Sequence, residues 1–159
     1  MILPEHIHCF DKLRQFYLGP MLLLGDQQYV VPYDFGVTVK TLDIMGEPDI
    51  LHDLTKNVFH LGLYTTVFNL GTLEHIWDVE TAWTHALQLS SEYFITCSPV
   101  AGWEGHCCHI TNWLDITTFL IKANFNLVYH FFTTKEGEIC SSPSRNCGKS
   151  ILYWAAYKK

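Results

Sequence analysis

Residues 63–78, LYTTVFNLGTLEHIWD, constrain the fold of this chain more than any other stretch. Residues 63–70 form a short run rich in aromatic and β-branched side chains, the pattern of a strand buried on both faces of a parallel sheet. Asn69, Gly71 and Thr72 break the run, and helical spacing resumes with Ile76, Val79, Trp83 and Leu87. A strand therefore feeds a helix that must pack back across the sheet, which is half of a βαβ unit. Ligands of open α/β sheets bind beyond the carboxyl ends of the strands, so Asn69, Leu70, Gly71, Glu74 and His75 lie where chemistry is expected. The same residues also suit a capping turn. Asn69 or Thr72 would then cap a helix opening at Leu73, with Glu74 favoured by the dipole of its first turn. Spacing alone leaves both readings open.

Size and charge narrow the class. A chain of 159 residues reads as a single domain over 1–159, with an N-terminal helix in 1–19. Its 48% hydrophobic and 14% aromatic content excludes disorder. The net charge of −6, with no compensating basic cluster, argues against a general grip on nucleic acid. No apolar run reaches the roughly 20 residues needed to span a bilayer. The start of the chain, with Glu5, His6 and His8 after Pro4, lacks a signal-peptide layout, so a cytoplasmic location is expected. The six cysteines are scattered, which fits reduced thiols better than a disulfide framework; Cys140 and Cys147 are the one pair that would bridge a loop.

Taken in order, Ile7, Phe10, Leu13, Phe16 and Tyr17 form a helical stripe that ends at Gly19 and Pro20. Residues 21–24 are an apolar strand that stops at Gly25, where a missing side chain allows close approach of a ligand to the backbone. Residues 37–44 are the next strand, with Asp43 near its end. The intervals 28–36 and 45–49 are too short for crossover helices with their loops, so the helices between the first three strands are lost or reduced to turns, and 50–54 follows as a clipped third strand. Residues 91–100 read as a fifth strand ended by Pro99, and 116–124 as a helix with Phe119, Leu120 and Ala123 inward and Asn124 as its left-handed cap. Residues 126–133 and 150–157 are two further strands joined by a polar loop.

Six segments together resemble the class I S-adenosylmethionine-dependent methyltransferases: MLLLGDQ, TLDI, ILHDLT, NLGTLEHIWD, YFITCSPV and HITNWLDITTFLIKANFNLV, in that order over roughly residues 20–157. The resemblance implies an α/β fold with a Rossmann-like, mostly parallel sheet of six or seven strands and a C-terminal antiparallel hairpin. It also implies S-adenosylmethionine as cofactor, held by Gly25, Asp26 and Gln27 after the first strand, Asp43 and Ile44 after the second, Asp53 and Leu54 after the third, and Asn69, Leu70, Gly71, Glu74 and His75 after the fourth. Asp43 would bond the ribose hydroxyls, as a carboxylate accepts two bonds from a vicinal diol. Asp53 would face the adenine amine. This chain has one glycine in a turn where the family usually has two or three.

The segment AGWEGHCCHITNW holds His106, Cys107, Cys108 and His109, but adjacent residues do not converge on one tetrahedral ion, and no metal site is expected. The resemblance makes His109 a support for the active-site loop. His106 and Glu104 are then the acid–base candidates facing substrate. The leading function is methyl transfer to a small molecule. The alternatives are a protein that binds S-adenosylmethionine without transferase activity, or another nucleotide-dependent enzyme on a similar sheet. The apolar strands left without crossover helices need other cover, either residues 29–35 folded back as a flap or a second subunit in a homodimer.

Overall fold

A computed structural model of the chain describes residues 4–25, 33–101, 113–141 and 151–159. Eight strands form one sheet: β1 (Met21–Leu24), β2 (Val39–Asp43), β3 (Ile50–Leu51), β4 (Tyr64–Leu70), β5 (Ser90–Ala101), β6 (Asn126–Thr134), β7 (Ile139–Cys140) and β8 (Ile151–Lys158). Their order is β3-β2-β1-β4-β5-β8-β6-β7. The strands β3, β2, β1, β4 and β5 run parallel, and β8 enters antiparallel between β5 and β6. The expected six or seven strands become eight because the two-residue β7 pairs with the end of β6, too short an element to leave a period in the sequence.

Alternation along β1 divides the core. Leu22 and Leu24 join one cluster with Leu42, Val67, Phe94, Tyr153 and Tyr157, and Met21 and Leu23 join another with Phe68, Ile95 and Trp154. The helices α2 (Val79–Gln88) and α3 (Trp113–Lys122) cover the first face with Ala82, Trp83, Ala86, Ile116 and Leu120. The second face is covered by α1 (Ile7–Leu13) through Cys9, Phe10 and Leu13, and by Tyr33 and Phe35. Phe10 is the centre of that packing, with ring centroids 5.0 Å from Tyr33, 5.9 Å from Phe35, 6.0 Å from Phe68 and 5.7 Å from Trp154. The chain thus supplies its own cover on this face, from the end of the segment expected to fold back. Tyr29, Val30 and Val31 lie outside the described residues.

Several boundaries differ from the sequence reading: β2 is two residues shorter at its start and one at its end, β3 stops at Leu51, and α3 opens at Trp113. The N-terminal helical stripe is split, with single 3-10 turns at Pro4–His6 and Arg14–Phe16 on either side of α1. The helix after β4 opens at Val79, not Leu73. The residues between form a separate 3-10 turn, Leu73–His75, and Asp78 caps α2 by accepting from the Thr81 N–H at 3.4 Å. Finally, Pro99 does not end β5. The Cys97 carbonyl accepts from the Gly71 N–H, so the backbone polar groups of Pro99, two residues on, turn to the same side, where β4 has already ended and no donor is needed. Asn124, at φ 66°, is the left-handed cap of α3, as read from the sequence.

Candidate active site

The sheet order reverses direction between β1 and β4, and a cavity of about 980 Å³ opens there beyond the carboxyl ends of the strands. Of the residues expected around a cofactor, it is lined by Gly25, Asp43, Ile44, Asp53, Leu54, Leu70, Gly71, Glu74 and His75. Asp26 and Gln27 lie outside the described residues, as do Glu104, His106 and His109.

The junction of β1 and β4 explains why the turn after β1 carries glycine. Gly25 has φ +112°, and a Cβ there would sit 2.7 Å from Thr72 Oγ1. That hydroxyl is committed, donating to the Leu24 carbonyl at 2.9 Å and tying the two strand ends together. No side chain fits, and the strand end is left as bare backbone toward the cavity.

Asn69 is placed differently from its neighbours. It is fully buried and does not line the cavity. Its Nδ2 donates to Thr96 Oγ1 at 3.0 Å and Ser98 Oγ at 3.3 Å, and its Oδ1 accepts from the N–H groups of Thr72 and Leu73. The side chain thus caps the 3-10 turn that presents Glu74, as the capping reading has it, and does not reach the cavity where the strand-end reading placed it.

The carboxylates divide by environment. Asp43 Oδ1 accepts from the Ile44 N–H, and Asp53 Oδ1 accepts from both the N–H and the hydroxyl of Thr55 at 2.8 Å. Those Thr55 bonds hold the Asp53 carboxyl below the usual carboxylate range. The Leu54 carbonyl between them accepts from His85 Nδ1 at 2.7 Å, fixing this wall to α2. Glu74 is only 8% exposed, and burial pushes its carboxyl up to about 7. Its neighbour across the cavity, the Cys97 thiol, is raised well above the usual thiol range by burial first and then by the charge of Glu74.

Several lining residues escaped the sequence reading: His6 from the N-terminal turn, Met45, Trp77, Cys97 and Pro99 on β5, Lys135 after β6, and Leu152 on β8. Cys97 lies level with the end of β4 and Pro99 just beyond it, so they reach the cavity although β5 itself continues to Ala101. His6, Lys135 and Leu152 carried no signal in the sequence. Their place depends on how α1 and the antiparallel strands come together. No group of metal-ligating side chains forms among the described residues. No helix among them is long and apolar enough to cross a membrane.

No family model matches the chain, and no curated protein matches it in sequence. Its structure is similar to the N-methyltransferase NodS from Bradyrhizobium japonicum WM9 in complex with S-adenosyl-L-homocysteine, with a TM-score of 0.65 and 12% identity over 98% of this chain and 88% of that one. It is similar to magnesium protoporphyrin IX methyltransferase from Synechocystis PCC 6803 with bound S-adenosylmethionine, at a TM-score of 0.60 and 15% identity over 95% of this chain and 79% of that one. The 1,6-didemethyltoxoflavin-N1-methyltransferase from Burkholderia thailandensis also matches, with a TM-score of 0.60 and 14% identity over 97% and 78%. The fold is that of the class I S-adenosylmethionine-dependent methyltransferases.

Proposed function

We propose that this protein is a methyltransferase that uses S-adenosylmethionine to methylate a small molecule. The observation that carries the reading is the cavity at the β1/β4 switch point, with a bare glycine turn after β1 and a carboxylate at the end of β2, in a sheet of methyltransferase order. In this reading Asp43 holds the ribose hydroxyls, Ile44 and Leu54 flank the base, Asp53 faces its amine, and the backbone at Gly25 and Gly71 lets the amino-acid portion approach. Asp26 and Gln27 are proposed to extend that contact, and Glu104 and His106 to serve as acid–base groups on the acceptor side.

Bound S-adenosylmethionine supplies an activated methyl group on a sulfonium. The protein's part is to hold the acceptor in line with that group and to exclude water. A small acceptor is supported by the acidic net charge, which offers no general grip on nucleic acid, and by the porphyrin and toxoflavin names of two structural neighbours. We further propose a single domain, a cytoplasmic location, and a homodimer formed through the exposed Leu51, Phe59 and Leu63, on and after the edge strand β3. Sedimentation at micromolar concentration tests the dimer, and a single 18.4 kDa species would remove it.

Calorimetry of the full chain with S-adenosylmethionine, S-adenosylhomocysteine, ATP and NAD tests the reading. Saturable binding of the first two is expected. Binding of ATP or NAD in their place would shift the assignment to another nucleotide-dependent enzyme.

A further inference from the structure

Glu74 stands apart from every other acid in the cavity. All four accept from backbone N–H groups of their own turns, Glu74 from its own N–H, but Asp43 and Asp53 are half-buried and Asp78 is exposed. Glu74 instead projects from the turn that Asn69 holds rigid, and its carboxyl is enclosed at the cavity wall. Gly71, at φ +68°, lies beside it, with the position of a Cβ there in contact distance of Glu74 Oε1 at 3.4 Å. The surrounding wall is largely apolar, with Leu24, Leu70, Pro99 and Leu152. An enclosed carboxyl in such a wall is costly to ionise unless a cation shares the enclosure.

The proposed cofactor brings such a cation, its sulfonium, and loses it when the methyl group leaves. We propose that Glu74 is the charge partner of the sulfonium, ionised while a cationic ligand fills the cavity and protonated when the ligand is the neutral thioether. This inference rests on the methyltransferase reading and adds to it a role for one residue. In the transfer the acceptor heteroatom forms its bond to the methyl carbon, the carbon–sulfur electron pair goes to sulfur, and the proton released by the heteroatom ends on Glu74. The pair formed by Glu74 and the ligand's sulfur then carries no net charge before or after the step. The acceptor class this favours is a neutral N–H or O–H nucleophile. An acceptor that had already lost its proton would give two neutral products and strand the carboxylate between them.

Other titratable groups line the same cavity: His6 from the N-terminal turn, Asp43 on β2, His52, Asp53 and Lys56 after β3, His75 beside Glu74, Asp78 before α2, Cys97 on β5, and Lys135 after β6. Comparison of the parent with E74Q isolates Glu74 from them, because all the others remain in both proteins.

Calorimetry at pH 6.5 in phosphate and in Tris, buffers of unlike ionisation heat, counts the protons exchanged on binding. S-adenosylmethionine is expected to release a fraction of a proton from the parent, and S-adenosylhomocysteine to release none. In E74Q the release disappears, and the affinity for S-adenosylmethionine relative to S-adenosylhomocysteine falls roughly tenfold, the scale of one opposite charge brought close. The same ratio measured on the parent from pH 5.5 to 8 should rise with pH, a readout that needs no variant. Equal proton counts for the two ligands, or release that persists in E74Q, would overturn the role of Glu74 and leave the methyltransferase reading standing. Failure of both ligands to bind the parent would overturn both.

Discussion

The two ends of the cavity use carboxyl groups in opposite ways. At the β2–β3 end Asp43 and Asp53 sit in half-buried turns and accept from backbone N–H groups, and at Asp53 these bonds hold the carboxyl in its ionised form. At the β4–β5 end Glu74 is enclosed, and burial favours the protonated form. One residue chemistry is thereby split into a fixed anion and a group that titrates near neutrality, the separation by environment that acid–base sites depend on. The strand lengths explain the asymmetry. Strands β2 and β3 have five and two residues and leave their ends open, whereas β5 runs through twelve, past the end of β4, and with β8 walls in what lies there.

The largest way to break this comparison is to remove the support of the enclosed end. N69A deletes four hydrogen bonds around a fully buried side chain and leaves the Thr72 and Leu73 N–H groups without their cap. A loss of about 2–4 kcal/mol in unfolding free energy, measured by urea denaturation at any pH between 5 and 8, is expected.

Next in size is the pH dependence that Glu74 imposes. Its carboxyl is raised from 4.5 to about 7 in the folded protein, so between those values the native state keeps a proton that the unfolded chain has lost. The associated stability is complete below about pH 4.5 and gone above about pH 7, a fall of about 3 kcal/mol as pH rises. In E74Q the ligand-free protein should lose this slope and be more stable than the parent at pH 8. Parallel curves for the two proteins would mean that the carboxyl is not enclosed as described.

At the open end the effects belong to ligand binding rather than folding. D43A should weaken S-adenosylmethionine binding by roughly tenfold or more, the scale of a charge-assisted pair of hydrogen bonds. Unchanged affinity by calorimetry would displace the ribose from β2. D53N is the smallest perturbation, because its amide oxygen still accepts from Thr55 and keeps the turn. A change in affinity below about threefold is expected, and a thermal midpoint close to the parent's.

Much of this was legible along the chain because strand ends announce themselves. Gly25 and Gly71 each follow an apolar run, Asp43 ends a strand of alternating character, and all three line the cavity. The short interval 45–49 implied a lost helix, since a crossover helix needs more chain than it offers, and neither it nor the described residues 33–36 of the earlier interval form one. Less could be read where a residue's role depends on a distant partner. Asn69 looked like its neighbours until the hydroxyls of Thr96 and Ser98, 27 and 29 residues on, drew its side chain away from the cavity.

By itself, the sequence determined the parallel order of strands and helices, the turn positions and the acids at strand ends, because these follow from local periodicity and from residues that break it. Only the tertiary structure decided that β8 would slot between β5 and β6, that β5 would continue through Pro99, and that His6 and Lys135 would reach a cavity opened by β1 and β4. The ionisation of Glu74 belongs to that second group. Nothing in LEH distinguishes a solvated first-turn acid from an enclosed one. The difference lies in the water excluded by side chains from β4, β5 and β8, which the chain brings together only on folding.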